Sequence, residues 1–262
     1  MVRTYFLLLW TWTRAAAAYP VSFALMTLLG FVIAALDVAV ILIIFANTTT
    51  LAGFSREEVL FLYGAASLSF TVCDTFVSNL DRVGQHIKAG TLDTVLIRPV
   101  SAWIQLTTDR FNATRVGRIV QAGLVLGYAV AELGIDGRRA WMIPVMVLTG
   151  IVIFASLWTI GGALQFALTE APEVVNAFTY GSQQLSQYPL SVYGRDLVKG
   201  VTYVLPLAYV NWQPGLYALG RDDPFGTPEF MRFLGPAAAL VLALLAALAW
   251  RQGVRHYRST GS

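Results

Sequence analysis

Ionisable and redox chemistry is scarce in this sequence. Its 262 residues include one cysteine and two histidines, and only 13% are charged, about half the share usual in soluble domains. The single thiol, Cys73, excludes an internal disulfide and any multi-cysteine metal site. His86 and His256 stand apart, no H-E-x-x-H pattern joins them, and no G-x-S-x-G elbow occurs. A G-x-x-x-x-G-K-[S/T] phosphate loop is also missing, which excludes P-loop nucleotide binding by this chain. The pI near 9.1 does not argue for nucleic acid. The basic residues sit at the ends of apolar runs, where membrane topology puts them.

Apolar surface is what the chain has in excess, at 56% hydrophobic residues. Several runs approach or exceed the roughly 20 residues that cross a bilayer. The expected fold is an all-α polytopic membrane protein forming a single transmembrane domain over 1–262. An interfacial helix covers 3–18, where Tyr5, Phe6, Trp10 and Trp12 lie between Arg3 and Arg14. Six spans are expected, at about 21–46, 57–81, 110–133, 141–168, 172–190 and 233–250. Ser55-Arg-Glu-Glu58 reads as a capping box that starts the second. Asp37 and Asp74 fall inside the first and second spans, where a lone carboxylate must face protein or water. Their spacing does not show whether they meet.

The polar stretches carry the functional signal. Residues 82–101 are too polar to cross a membrane. Ile87, Leu92, Val95, Leu96 and Val100 recur at helical intervals, with Lys88, Asp93 and Arg98 between them, and Pro99 ends the pattern. This reads as a surface amphipathic helix over 87–101. Thr169-Glu170-Ala171-Pro172-Glu173 is a polar break with proline suited to a first helical turn. Asn176, Thr179, Tyr180, Gln183, Gln184 and Gln187 follow; these cannot face lipid, so they line a path or bind helices together. Residues 194–220, broken by Pro206 and Pro214, read as re-entrant or interfacial helices. Eleven Lys and Arg residues lie on the side of the termini and the 82–118 segment, against seven on the other. This bias places both termini in the cytoplasm.

With that order, the chain resembles a permease of the ABC-2 type of ATP-binding-cassette exporter, in a six-span subfamily formerly of unknown function. Gly90-Thr-Leu-Asp-Thr-Val-Leu-Ile-Arg-Pro99 is similar to its G-x-L-D-x-x-L-x-R-P pattern. Phe178-Thr-Tyr-Gly181, Tyr188-Pro-Leu-Ser-Val-Tyr193 and Leu205-Pro-Leu-Ala-Tyr209 resemble its later signatures, with Gly194 standing where the pattern has proline.

The resemblance implies a coupling helix at 87–101 between the second and third spans, docking on a separate ATPase. Ile87, Lys88, Leu92, Asp93, Val95, Leu96 and Arg98 would form the contact, with Glu170 and Glu173 beside it. The implied partners are two ATPase copies, which hold ATP and Mg, and a second permease, either a related chain or a second copy. No cofactor is expected in this chain. The implied activity is export of a hydrophobic or amphipathic substrate across a bacterial cytoplasmic membrane, with multidrug efflux among the family's roles. A proton-coupled carrier and an intramembrane enzyme using Asp37 and Asp74 are the alternatives.

Overall fold

A computed structural model of the protein describes residues 2–168 and 172–257, and among these every named element is helical. Helix α1 (Val2–Ala17) is followed, after a break at Tyr19, by α2 (Pro20–Asn47). Pro20 sits in the first turn of α2, where its missing N–H costs nothing. Helix α3 (Arg56–Phe76) starts at the expected capping box. Glu58 N–H donates to Ser55 Oγ at 3.3 Å, and Ser55 N–H donates to Glu58 Oε2 at 2.7 Å.

Beyond α3 the chain makes a 3-10 turn (Ser78–Arg82) and three short helices: α4 (Val83–Lys88), α5 (Leu92–Leu96) and α6 (Ala102–Thr108). Helix α7 (Val116–Leu133) ends at Gly134, which takes the left-handed conformation at φ 54° that closes a helix. Next come α8 (Gly137–Ala140), α9 (Met142–Leu164), α10 (Pro172–Ser186), α11 (Arg195–Tyr203), α12 (Trp212–Leu219) and α13 (Gly235–His256).

Among the described residues, five helical segments are long and apolar enough to span a membrane: Pro20–Asn47, Arg56–Phe76, Ala113–Leu133, Gly137–Leu164 and Gly235–His256. Helix α10, expected within a fifth span at 172–190, has 15 residues. That is about 22 Å at 1.5 Å per residue, short of a hydrocarbon core of about 30 Å. The connection after α3 and residues 165–168 after α9, with α1, share one end of the bundle. Residues 48–55, the 134–141 turn and residues 190–234 share the opposite end.

The polarity of each helix decides its place. Helix α3 carries Ser67, Ser69, Thr71, Asp74 and Thr75, all buried, because hydroxyls and carboxylates cannot be left in lipid. The most apolar stretch of α3 is therefore 83% buried, against 11% for that of α2, which is almost purely aliphatic. Helices α7 and α9 pack on α3, while α2 packs on α7 and α13 on α9. Two glycines let helix backbones come close. A Cβ on Gly64 of α3 would stand 2.8 Å from Leu126 N, and one on Gly117 of α7 would stand 2.1 Å from Thr27 O. Small residues let membrane helices approach in this way. The core between α3 and α9 holds Phe70, Phe154 and Trp158, with Phe70 meeting Phe154 edge-on at 5.3 Å.

Candidate functional site

Asp74 is the chemical centre of the bundle's first end. Its side chain is 1% exposed on the last turns of α3. Arg118, on the first turn of α7, donates from Nη2 to Asp74 Oδ2 at 2.6 Å. Arg115, just before α7, donates from Nη1 to Asp74 Oδ1 at 3.2 Å and to the Asp74 carbonyl at 2.5 Å. It also donates to Ser78 Oγ. Tyr180 of α10 reaches Asp74 Oδ1 at 3.5 Å, and its ring packs against Phe70 and Trp158 at 5.6 and 6.0 Å. One carboxylate therefore ties α3, α7 and α10 together. Two cations around one buried anion satisfy the charge that burial would otherwise make costly.

The segment after this hub is a helical hairpin rather than one helix. Gly90, at φ 65°, breaks it between α4 and α5. Side chains from elsewhere hold it. Gln165, after α9, accepts from Gly84 N–H at 2.7 Å and donates to the Leu80 carbonyl at 3.2 Å. Gln105 of α6 donates to the carbonyls of Val95 and Val100 at 2.9 and 2.7 Å. His86 Nε2 lies 3.3 Å from Asp109 Oδ2. This contact holds the Asp109 carboxyl below its ordinary value, against the opposing effect of burial.

Ile87 and Leu92, at 3% and 0% exposed, point into the core. Val95 and Leu96 are half-buried, and Lys88 and Arg98 are exposed. Asp93 is half-buried. The apolar side chain that this hairpin offers outward is Ile97, at 83% exposed. The amphipathic pattern thus has its apolar side turned into this chain.

A family model described as an ABC-2 family transporter protein matches residues 31–261. The chain belongs to that family. No curated protein and no solved structure matches the sequence. With five membrane-length apolar helices, this ABC-2 protein is a multi-pass membrane protein, and the family is a membrane transport component that works with ABC ATPase partners.

The polar residues of α10 in the ABC-2 chain divide between two faces. Thr179 is 1% exposed and donates to the Val175 carbonyl within its own helix at 3.1 Å. Gln187, just past the helix, is also buried, and its Nε2 has no hydrogen-bond partner among the described residues. Asn176, Tyr180 and Gln184 are exposed and follow one another at intervals of four, so they form one stripe, with Gln183 half-buried beside it. Glu170 and the side chain of Glu173 lie outside the described residues.

Asp37 and Asp74 do not meet. Asp37 stands within electrostatic reach of Tyr63, and Tyr63 is eleven residues, about 16 Å, along α3 from Asp74. The arginine partners of Asp74 are what sequence reasoning missed. The signal was present: Arg115 and Arg118 are three apart at the start of a span, and Asp74 stands near the end of the preceding one. At the opposite end a second ion pair closes the fold. Arg221 Nε donates to Glu58 Oε1 at 2.6 Å and Nη1 to the Gly53 carbonyl at 2.7 Å, with the guanidinium 4.6 Å from the Phe54 ring centre.

Proposed function

We propose that this ABC-2 protein is the permease subunit of an exporter driven by a separate ATPase. Two ATPase copies would bind ATP and Mg, and a second permease, a related chain or a second copy, would complete the path. Residues 172–190 would serve as the fifth of six spans, with α10 extended by Tyr188 and Pro189. Both termini would face the cytoplasm of a bacterial cell, and the 194–220 helices would lie on the outer side.

The supporting observation is the α4–α5 hairpin. It is clamped by Gln165 of the α9 end and Gln105 of α6, and its Leu92 is sealed into the core. A push on the exposed Ile97 and Arg98 would therefore pass directly to α3, α7 and α9. The Asp74 hub would carry that motion on to α10 and its exposed polar stripe. The substrate class on this reading is hydrophobic or amphipathic, moved outward.

The test is reconstitution of the permease with its ATPase in proteoliposomes. ATP-dependent accumulation of an amphipathic dye, lost on removal of either subunit, is the expected result. Dye movement that continues without the ATPase and follows an imposed proton gradient would overturn it.

A further inference from the structure

A groove of about 410 Å³ runs along the seam between α9 and α13. Its α9 wall extends from Ile151 to Thr159 and its α13 wall from Ala243 to Trp250, about 10–12 Å of each helix. Trp103 of α6 joins the lining at the end nearer the hairpin, where its indole N–H donates to Thr159 Oγ1 at 3.1 Å. Ala155 on one wall, with Ala243 and Ala247 on the other, leaves a hollow that longer side chains would fill. The walls make no polar demand. Ser156 donates to the Val152 carbonyl at 2.7 Å and Thr159 to the Ala155 carbonyl at 2.8 Å, each within its own helix. Hydrocarbon can therefore occupy the groove without leaving a polar group unpaired.

The α13 wall leads into positive charge. Ala243, Ala247, Arg251 and Arg255 succeed one another at intervals of four, so each stands about 6 Å further along the helix than the one before. Arg251 and Arg255 are exposed, and among the described residues neither side chain makes a hydrogen bond or an ion pair. Helices α6, α9 and α13 contain no Asp or Glu. An apolar groove that ends at two tryptophans and then two unpaired guanidinium groups matches an amphiphile with a hydrocarbon tail and an anionic head. A helix of a neighbouring permease would fill the groove without using either arginine, and so would a neutral lipid.

From this arrangement we infer that the α9–α13 groove holds one acyl chain of an anionic phospholipid, whose phosphate is bound by Arg251 and Arg255. Guanidinium groups meet phosphate oxygens through paired N–H donors. Helical side chains lean toward the helix N-terminus, which for Arg251 is the groove side. The bound chain lies against Trp103 and so braces α6. Gln105 of that helix holds the carbonyls of Val95 and Val100, which places the lipid one helix away from the α4–α5 hairpin. The site concerns lipid that surrounds the protein, not the transported substrate, and it stands apart from the exporter reading.

Native mass spectrometry of the purified protein in its assembled state measures lipid retention. The probes are phosphatidylglycerol and phosphatidylcholine with identical dioleoyl chains. Wild type should retain the anionic lipid about fivefold or more over the zwitterionic one, and Arg251→Gln combined with Arg255→Gln should remove that preference. Ala247→Leu fills the groove from an exposed position and should lower retention of the anionic lipid to a similar extent with both arginines intact. Ala243→Val fills the same groove with less bulk, should Ala247→Leu fail to fold. Melting temperature and particle mass are recorded for each variant. Equal retention of the two lipids by wild type would overturn the inference. A preference that is lost with the arginines but kept in the groove variants would assign it to diffuse surface charge and overturn the groove. A groove variant that lowers the particle mass would seat a second permease copy there instead of lipid.

Discussion

Arg118 donates to the Asp74 carboxylate at 2.6 Å across the seam between α3 and α7. Arg115 approaches the same carboxylate from the residue before α7 begins. Asp74 is therefore a shared counter-ion, and its removal differs from removal of either arginine.

Asp74→Asn keeps the side-chain shape and leaves two cations facing each other. The expected loss of stability is about 3 kcal/mol, the low end of the range for breaking a buried pair. The low end applies because the two arginine side chains are 24% and 30% exposed. Unfolding in detergent or nanodiscs measures it. A double-mutant cycle with Arg118→Gln should show coupling above about 1 kcal/mol. Additive losses would mean that the three residues do not act as a unit.

The α4–α5 hairpin separates anchoring from docking. Leu92→Ala should destabilise the permease by about 2–5 kcal/mol, because it empties a fully buried site. Ile97→Glu should change stability by less than about 0.5 kcal/mol, being exposed. On the proposed function, it should nonetheless uncouple ATP hydrolysis from transport. Copurification with the ATPase and transport per folded complex are the readouts. An Ile97→Glu variant that transports normally would move the docking surface elsewhere on the hairpin.

The His86–Asp109 contact gives a pH signature. The folded value of Asp109 is depressed, so its stabilising contribution is present above the ordinary aspartate value, about 4. It is lost as pH falls through the lower folded value. Asp109 is one-third exposed, which limits the effect to about 1 kcal/mol or less. Asp109→Asn should melt below wild type at pH 7, and the gap should close toward pH 3. A gap unchanged with pH would assign the loss to something other than the carboxylate charge.

The long helices were legible because hydrophobic run length is a local property. The chain gives α2 over Pro20–Asn47 where 21–46 is read, and the Ser55–Glu58 capping box forms as its residues require. What was not legible is which side of an amphipathic pattern faces inward. Ile87 and Leu92 recur as a docking face would, yet they are buried in this chain's own core. Periodicity gives a stripe but not its partner. The same limit applies to α10, where Thr179 and Gln184 look equally polar in sequence and lie on opposite faces. Tertiary ion pairs such as Asp74–Arg118, 44 residues apart, leave no local trace beyond the presence of both charges.

Gly117 and Gly123 lie six residues apart on α7 and should answer oppositely to alanine. A Cβ on Gly117 would meet backbone of α2 at 2.1 Å, whereas one on Gly123 meets nothing within 4 Å. Gly117→Ala must push α2 off α7, at a cost of about 1–3 kcal/mol for overpacking. Gly123→Ala should be neutral or stabilising by up to about 1 kcal/mol through helix propensity. Melting temperatures of the two variants in one lipid decide it. Equal behaviour would mean that the α2–α7 contact can slide without loss.

The exposed stripe of α10 distinguishes a path from helix glue. Asn176 and Gln184 face away from this chain's core, so leucine at either removes no side-chain contact within the protomer, whereas Tyr180 between them also reaches inward to Asp74. Such polar groups cannot be left to lipid; they must meet either water in a path or side chains of a neighbouring permease. If they meet a neighbour, Asn176→Leu and Gln184→Leu should weaken assembly, at about 0.6–2 kcal/mol for each lost interhelical hydrogen bond, and the particle mass should fall. If they line the path, the assembled mass should stay unchanged while transport per folded complex drops or changes its preference among amphipathic dyes. The path reading predicts the second result. Thr179→Ser serves as the control, since Thr179 points inward and is satisfied by the Val175 carbonyl; it should leave both mass and dye preference as they are. Loss of mass without a change in preference would place the stripe in the interface between permeases and shift the path to another helix.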